Sequence, residues 1–270
     1  MEFSSVLLSA QSLHTYLIAA AIAMVRMGGV VLVMPAFTRL GVTGLLRSAI
    51  ILALALPIVP LIVPTVSADA MSFGQLAAVL LKEAGVGILL GIVLGIPIWA
   101  AEAAGEILDL QRGVSFAELV DPSYTTHNNP LATFFALIMV ALYFLGGGFM
   151  IVLRTVYESY SLWPLTSFMP MFSVESGELL LRILDDIIGL GLMLVAPVVL
   201  ALLLADLSLA LVARAAPHMN IFVLSLPVKN FALTLILVLY GAFLIGYLRD
   251  NMSILIDSQS KLEFMAPKPQ

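Results

Sequence analysis

The residues best placed to do chemistry are acids. Within "EAAGEILDLQRG", Glu102, Glu106 and Asp109 fall at i, i+4 and i+7, so a helix carries all three on one face. Arg112 continues that face three positions later and can pair with Asp109. Such a face is either solvated, on an amphipathic helix at a membrane surface, or a docking face for a cation or a partner protein. A second set of charges, Arg26, Lys82, Glu83, Asp185, Asp186 and Asp206, lies within or at the edges of apolar runs. At the centre of a membrane span each costs about 2.5–3.5 kcal/mol, so such residues face protein or water rather than lipid. Two readings follow: the charges snorkel or pair within an assembly, or the three aspartates line a proton or ion path. Lys82 and Glu83 are adjacent and point to different sides of a helix, so each is expected to find its partner elsewhere.

Other chemistry lacks its residues. The three histidines, His14, His127 and His218, are far apart, and no H-E-x-x-H, G-x-S-x-G or phosphate-binding glycine loop occurs. Cysteine is absent, which excludes disulfides, thiolate nucleophiles and thiol metal sites. No catalytic, metal-binding or cofactor-binding residue is assigned, and the chain is not read as an enzyme. A net charge of −5 without a basic stripe argues against nucleic acid.

The elements that must position these acids are apolar helices. Of the 270 residues, 61% are hydrophobic and 11% charged, with a mean hydropathy of +1.11; soluble chains carry about 25% charged residues. The fold class is therefore all-α: an integral membrane protein of helical hairpins, some kinked or re-entrant, forming one domain over 1–270. Six apolar runs are predicted, at Leu13–Met34, Leu45–Val63, Leu76–Trp99, Leu131–Leu153, Leu179–Val212 and Phe231–Leu248, the fifth broken by Pro197. Polar intervals separate them at 100–130, 154–178 and 213–230, and a polar tail occupies 249–270. The N-terminus lacks a basic n-region, so the first apolar helix is expected to act as its own insertion signal.

Glycines add two expectations. Gly87, Gly91 and Gly95 recur every four residues, a doubled G-x-x-x-G groove for close helix packing. "GGG" at 146–148 predicts a flexible or kinked point rather than a packing face. Orientation does not follow from charge. Six plain crossings place Arg39, Arg47, Arg112, Arg214 and Lys229 on one side and Arg154, Arg182, Arg249, Lys261 and Lys268 on the other, a tie. Either the topology is fixed by something other than loop charge, or some of these segments are not plain crossings.

The polar islands carry a resemblance. "RMGGVVLVMPAFTRLGVTGLLRSAIILALALPIVP", "EAAGEILDLQRGVSFAELVDP", Trp163-Pro164 and "APHMNIFVLSLPVKN" agree in order and spacing with a known family, from about Arg26 to Lys229. The chain resembles the type III secretion export component SctT of injectisomes (YscT, SpaR, HrcT) and FliR of flagella, with injectisome-like wording in "GLLRSAIILALALPIVP". The second island is similar to the family's Gly-Glu-x-x-Asp-x-Gln-x-Gly region, which brings in Gln111 and Gly113. One departure is His218, where the family often has glutamine.

The resemblance implies a structural and conducting subunit of an export gate that passes unfolded polypeptides across the bacterial inner membrane, raised toward the periplasm. Its implied partners are SctR (FliP-like) and SctS (FliQ-like) subunits, SctU (FlhB-like) and SctV (FlhA-like) components, secreted polypeptides and membrane lipid. Arg214, Pro217, His218, Asn220, Phe222, Pro227 and Lys229 are the candidates for shaping the gate or its partner contacts. Glu102, Glu106, Asp109, Gln111 and Gly113 are the candidates for subunit docking. The rival is a polytopic ion-coupled transporter using Asp185, Asp186 and Asp206, although no internal repeat supports it. A membrane enzyme lacks any constellation.

Overall fold

Proline and glycine decide where the apolar runs stop being regular helix. The computed structural model describes residues 2–66, 72–113, 129–165, 174–218 and 221–250, with backbone alone at 2–12, 174–180, 183, 221–222 and 248–250. Helix α1 covers Glu2–Val33. A four-residue helix, α2 (Pro35–Thr38), starts on a proline whose missing N–H has no partner to lose at that position. Helix α3 (Gly44–Ala55) then meets Pro57, Pro60 and Pro64. Each removes a backbone donor, and the chain tightens into 3-10 turns at Leu56–Ile58 and Val63–Thr65 around one α-turn, α4 (Val59–Ile62). The hydroxyl of Tyr157 donates to the carbonyl of Leu54 just before this stretch, at 2.9 Å.

Helix α5 is long, Phe73–Gln111, and its start is defined by side chains. The Gln75 amide nitrogen donates to Ser72 Oγ at 3.3 Å, and the Ser72 amide donates to Gln75 Oε1 at 2.8 Å. This reciprocal pair satisfies donors that the first helical turn leaves open. The helix runs through Pro97 and through the first part of the polar interval assigned to 100–130. That interval therefore begins as helix: Glu102 and Asp109 turn inward to buried positions, so polarity there does not end the element. Gly113, at φ +87, closes the end, donating its N–H to the Leu110 carbonyl at 3.1 Å.

The fourth apolar run is two helices, α6 (Pro130–Leu145) and α7 (Gly148–Leu162), a bent pair joined at Gly146–Gly147. Gly147 takes φ +79, which a side chain would resist, so the kink falls where "GGG" predicts it. The 154–178 interval likewise opens as helix, to Leu162. Helix α8 (Val174–Ala215) is continuous, so the break expected at Pro197 does not occur. Its neighbours Leu194, Val195 and Val198 are buried, and their packing holds the helix across the one hydrogen bond that proline removes. Helix α9 (Ile221–Asp250) contains Pro227. The 213–230 interval is therefore mostly helix ends, with 216–218 the described part of the connection. The polar tail lies almost wholly outside the described residues, as does all of 114–128.

Among the described residues there is no strand. Among the described residues five helices are long and apolar enough to cross a membrane, and the bent α6–α7 pair adds a sixth if it forms one broken span rather than a re-entrant loop. The chain is a multi-pass helical membrane protein.

Two compact units share these helices. One combines Met1–Gly95 with Gly147–Leu181, the other Ile96–Gly146 with Arg182–Ile254. In the first, α1 packs on α3, α4 and the 3-10 turns, and Val30, Val86, Leu90 and Trp163 are buried. Here α1 also meets α5 at backbone distance. A Cβ on Gly29 would lie 2.8 Å from the Gly87 carbonyl carbon, and one on Gly87 would strike the Arg26 carbonyl oxygen. At Gly91 a Cβ would come within 3.1 Å of the Val30 carbonyl oxygen. In the second unit, Ile98, Ala101, Leu108, Phe135, Met139 and Leu202 are buried, and α6 meets α9. Glycine again sets the approach: Gly105 lies against the Ala132 backbone, and a Cβ on Gly191 would sit 2.9 Å from the Ala100 carbonyl oxygen.

Candidate functional site: two ion clusters

The sequence places Arg26 on α1 and Glu83 on α5, and the glycine contacts bring those two helices together. Arg26 is fully buried and clasps Glu83 with two bonds, Nε to Oε2 at 2.5 Å and Nη2 to Oε1 at 3.0 Å. This bidentate geometry is the strongest form of a guanidinium–carboxylate contact. Arg26 also donates to Ser159 Oγ and to the Trp163 carbonyl, both at 2.9 Å, and its guanidinium lies 3.7 Å from the Tyr160 ring centroid. Lys82 Nζ donates to the Pro164 carbonyl at 2.8 Å and also bridges to Glu83 Oε1 at 3.1 Å. Lys82 and Glu83 therefore pair with each other after all. The long lysine stem folds across the angle that separates neighbouring residues on a helix and reaches Oε1, the oxygen that also accepts from Arg26 Nη2.

The second cluster gathers the acidic island and the final polar island within the other unit. Asp109 Oδ1 accepts from Arg112 Nε at 2.9 Å, as the spacing suggests. Its Oδ2 accepts from the Leu131 and Ala132 amides at 3.0 and 3.2 Å. Asp109 thus caps the start of α6 from a different helix, where Asn129 makes no side-chain cap. Lys229 Nζ bridges to Asp206 Oδ1 at 2.6 Å and donates to the Gln111 carbonyl at 3.1 Å, at the end of α5 where helix carbonyls lack partners.

The remaining candidates are dispersed. Glu102 is buried, as Asp109 is, but Glu106 is exposed, so the three acids do not share one solvated face. Inward packing at Ala101, Ala104 and Leu108 takes Glu102 and Asp109 with it. Arg214, Pro217, His218 and Pro227 are exposed. Asn220 lies outside the described residues, and only the backbone of Phe222 is described. Gly87, Gly91 and Gly95 are all buried on α5, the first two against α1. Among the described residues, no group of three or more His, Asp or Glu could hold a metal ion.

Ser159, Tyr160 and the Trp163 and Pro164 carbonyls complete the first cluster and were not legible as site residues. Opposite charges buried in two apolar runs were the available signal for Arg26 with Glu83. These clusters join helices: they hold α1, α5 and α7 in one unit, and α5, α6, α8 and α9 in the other.

The family of bacterial export proteins, family 1, matches residues 17–254, a stretch that contains both clusters. This chain belongs to that family. Among its relatives, Yop proteins translocation protein T of Yersinia pestis is 34% identical over 220 residues, 81% of this chain and 83% of the relative. Surface presentation of antigens protein SpaR of Salmonella typhimurium is 32% identical over 231 residues, 84% of each chain. Flagellar biosynthetic protein FliR of Caulobacter vibrioides is 27% identical over 210 residues, 78% of this chain and 83% of the relative. The resemblance to the SctT and FliR group holds, and the role of this family member is in protein export.

Proposed function

We propose that this chain is a structural and conducting subunit of a type III export gate in the bacterial inner membrane. It assembles with SctR- and SctS-like subunits, contacts SctU- and SctV-like components, and passes unfolded polypeptides. The family match over residues 17–254 carries this reading. Surface chemistry supports it. The apolar windows of Leu184–Ala215 and Val223–Tyr247 are only 28% and 11% buried within the chain, against 72% for Phe73–Gln111. Exposed polar groups punctuate the first two, including Asp185, Asn230 and Thr234, which suits neighbouring protein better than lipid.

Within this reading the chain works as one export domain with no catalytic residue. The exposed Glu106 is the docking candidate of the acidic island, and exposed Arg214 and His218 are the contact candidates of the 213–230 segment. Lys229 instead braces the end of α5. The test is co-purification with the other export subunits from a host carrying the whole apparatus, alongside substrate secretion. Deleting the chain is expected to abolish secretion, and Glu106→Lys to reduce recovery of partner subunits. Normal secretion without the chain would overturn the role, and normal recovery with Glu106→Lys would remove the docking assignment.

The transporter reading has no comparable support. Asp206 is paired with Lys229. Asp185 and Asp206 sit on one helix at a separation of roughly 30 Å at 1.5 Å per residue, too far to share an ion.

A further inference from the structure

The first cluster contains two cations and one anion. Glu83 Oε1 lies 3.0 Å from Arg26 Nη2 and 3.1 Å from Lys82 Nζ, so one carboxylate oxygen serves both. All three side chains are almost completely buried, at 0%, 0% and 2% exposure. Buried charge is tolerated when it is paired and its remaining donors are satisfied. Arg26 and Glu83 meet that condition as a neutral pair with planar, two-bond geometry. Lys82 adds a positive charge that the pair does not need.

What Lys82 contributes is its reach. Its ammonium holds the Pro164 carbonyl, while Arg26 holds the carbonyl of the preceding residue, Trp163. Both carbonyls lie just after α7 ends, and a proline nitrogen cannot tie this stretch down as a donor. Leu165 beside them is buried.

We propose that the Arg26–Glu83–Lys82 cluster is a latch with two parts: a fixed bolt, Arg26 on Glu83, and a releasable arm, Lys82 on the Pro164 carbonyl, which positions the chain leaving α7. The bolt holds α1 to α5. The arm fixes the Pro164–Leu165 turn against them. Guanidinium and ammonium are suited to these different tasks, one as a rigid fork and the other as a point charge on a flexible stem.

The absence of cysteine from the chain provides a clean reporter. Leu165→Cys is introduced as the single thiol and labelled with a membrane-permeant maleimide in the assembled apparatus. Exposed Ser161→Cys is the control. Adding Lys82→Met, which keeps the stem volume and removes the charge, is expected to leave accumulation of the chain unchanged and to speed labelling at residue 165 about tenfold, as local opening does. Labelling at residue 161 stays constant, and Lys82→Arg keeps residue 165 protected. Hydrogen exchange at the Leu165 amide makes the same comparison in the cysteine-free chain.

Unchanged protection of residue 165 in Lys82→Met overturns the arm. Failure of Lys82→Met to accumulate overturns the division into bolt and arm, because the bolt alone would then not hold the fold. Neither readout uses secretion, so the export reading stands or falls separately.

Discussion

The two ion clusters are built from the same residue types but sit in different surroundings. Around Glu83 the charged side chains are 0–2% exposed. In the other cluster Arg112 is 19% exposed, Lys229 16% and Asp206 38%, with only Asp109 sealed off. The first cluster ties helices through side-chain charge itself. The second works largely through backbone, with Asp109 on the α6 amides and Lys229 on the Gln111 carbonyl. Burial therefore separates the Arg26–Glu83 pair, whose loss unfolds a unit, from part-exposed charges whose loss frays a helix end.

The largest effect should come from Glu83→Gln, which leaves two buried cations without an anion and costs about 3–5 kcal/mol. Accumulation of the chain in membranes should fall sharply; a normal level would break the comparison. Next is Gly87→Ala, whose methyl meets the fixed Arg26 carbonyl and costs about 1–3 kcal/mol by overpacking. Gly85→Ala on the same helix meets nothing within 4 Å and is the control. Equal thermal midpoints for these two variants in detergent would show that α1 and α5 are not packed this closely. Asp109→Ala removes the cap on α6, a loss of about 1–2 kcal/mol. Amide exchange at Leu131 and Ala132 should rise while exchange around Glu83 stays unchanged. Lys229→Met comes fourth, with a loss of about 1 kcal/mol or less for a part-exposed pair, read from the thermal midpoint. The exposed Arg154–Glu158 pair, at 71% and 41% exposure, marks the floor: Arg154→Ala should not shift the midpoint.

Much of this was legible in the residues. Hydropathy placed the crossings, "GGG" placed the kink before α7, and the three-residue spacing paired Asp109 with Arg112. The missed features share one cause, which is contact at long sequence distance. The acidic helix after Trp99 reads as a solvated or docking face until Glu102 and Asp109 are seen to turn inward, and Asp109 finds amides 22 and 23 residues away. Lys82 and Glu83 look incompatible until Arg26, 57 residues from Glu83, is seen to hold both carboxylate oxygens while Lys82 shares one of them. Pro197 reads as a break because the burial of its neighbours Leu194, Val195 and Val198, which supports the helix there, does not show in the local sequence. The Ser72–Gln75 capping box, by contrast, is a local S-x-x-Q signal, and it sets the start of α5 at Phe73, three residues before the predicted run begins at Leu76.

Helix length has a consequence for how the chain sits in lipid. At 1.5 Å per residue, α5 with 39 residues and α8 with 42 have contour lengths of roughly 58 and 63 Å. A hydrocarbon core is about 30 Å thick. Neither helix can be matched to such a slab, so acyl-chain length cannot act as the ruler that sets their depth. The surplus must be clad by protein or water, and bilayers of different thickness should alter the insertion of this chain far less than loss of its protein surroundings.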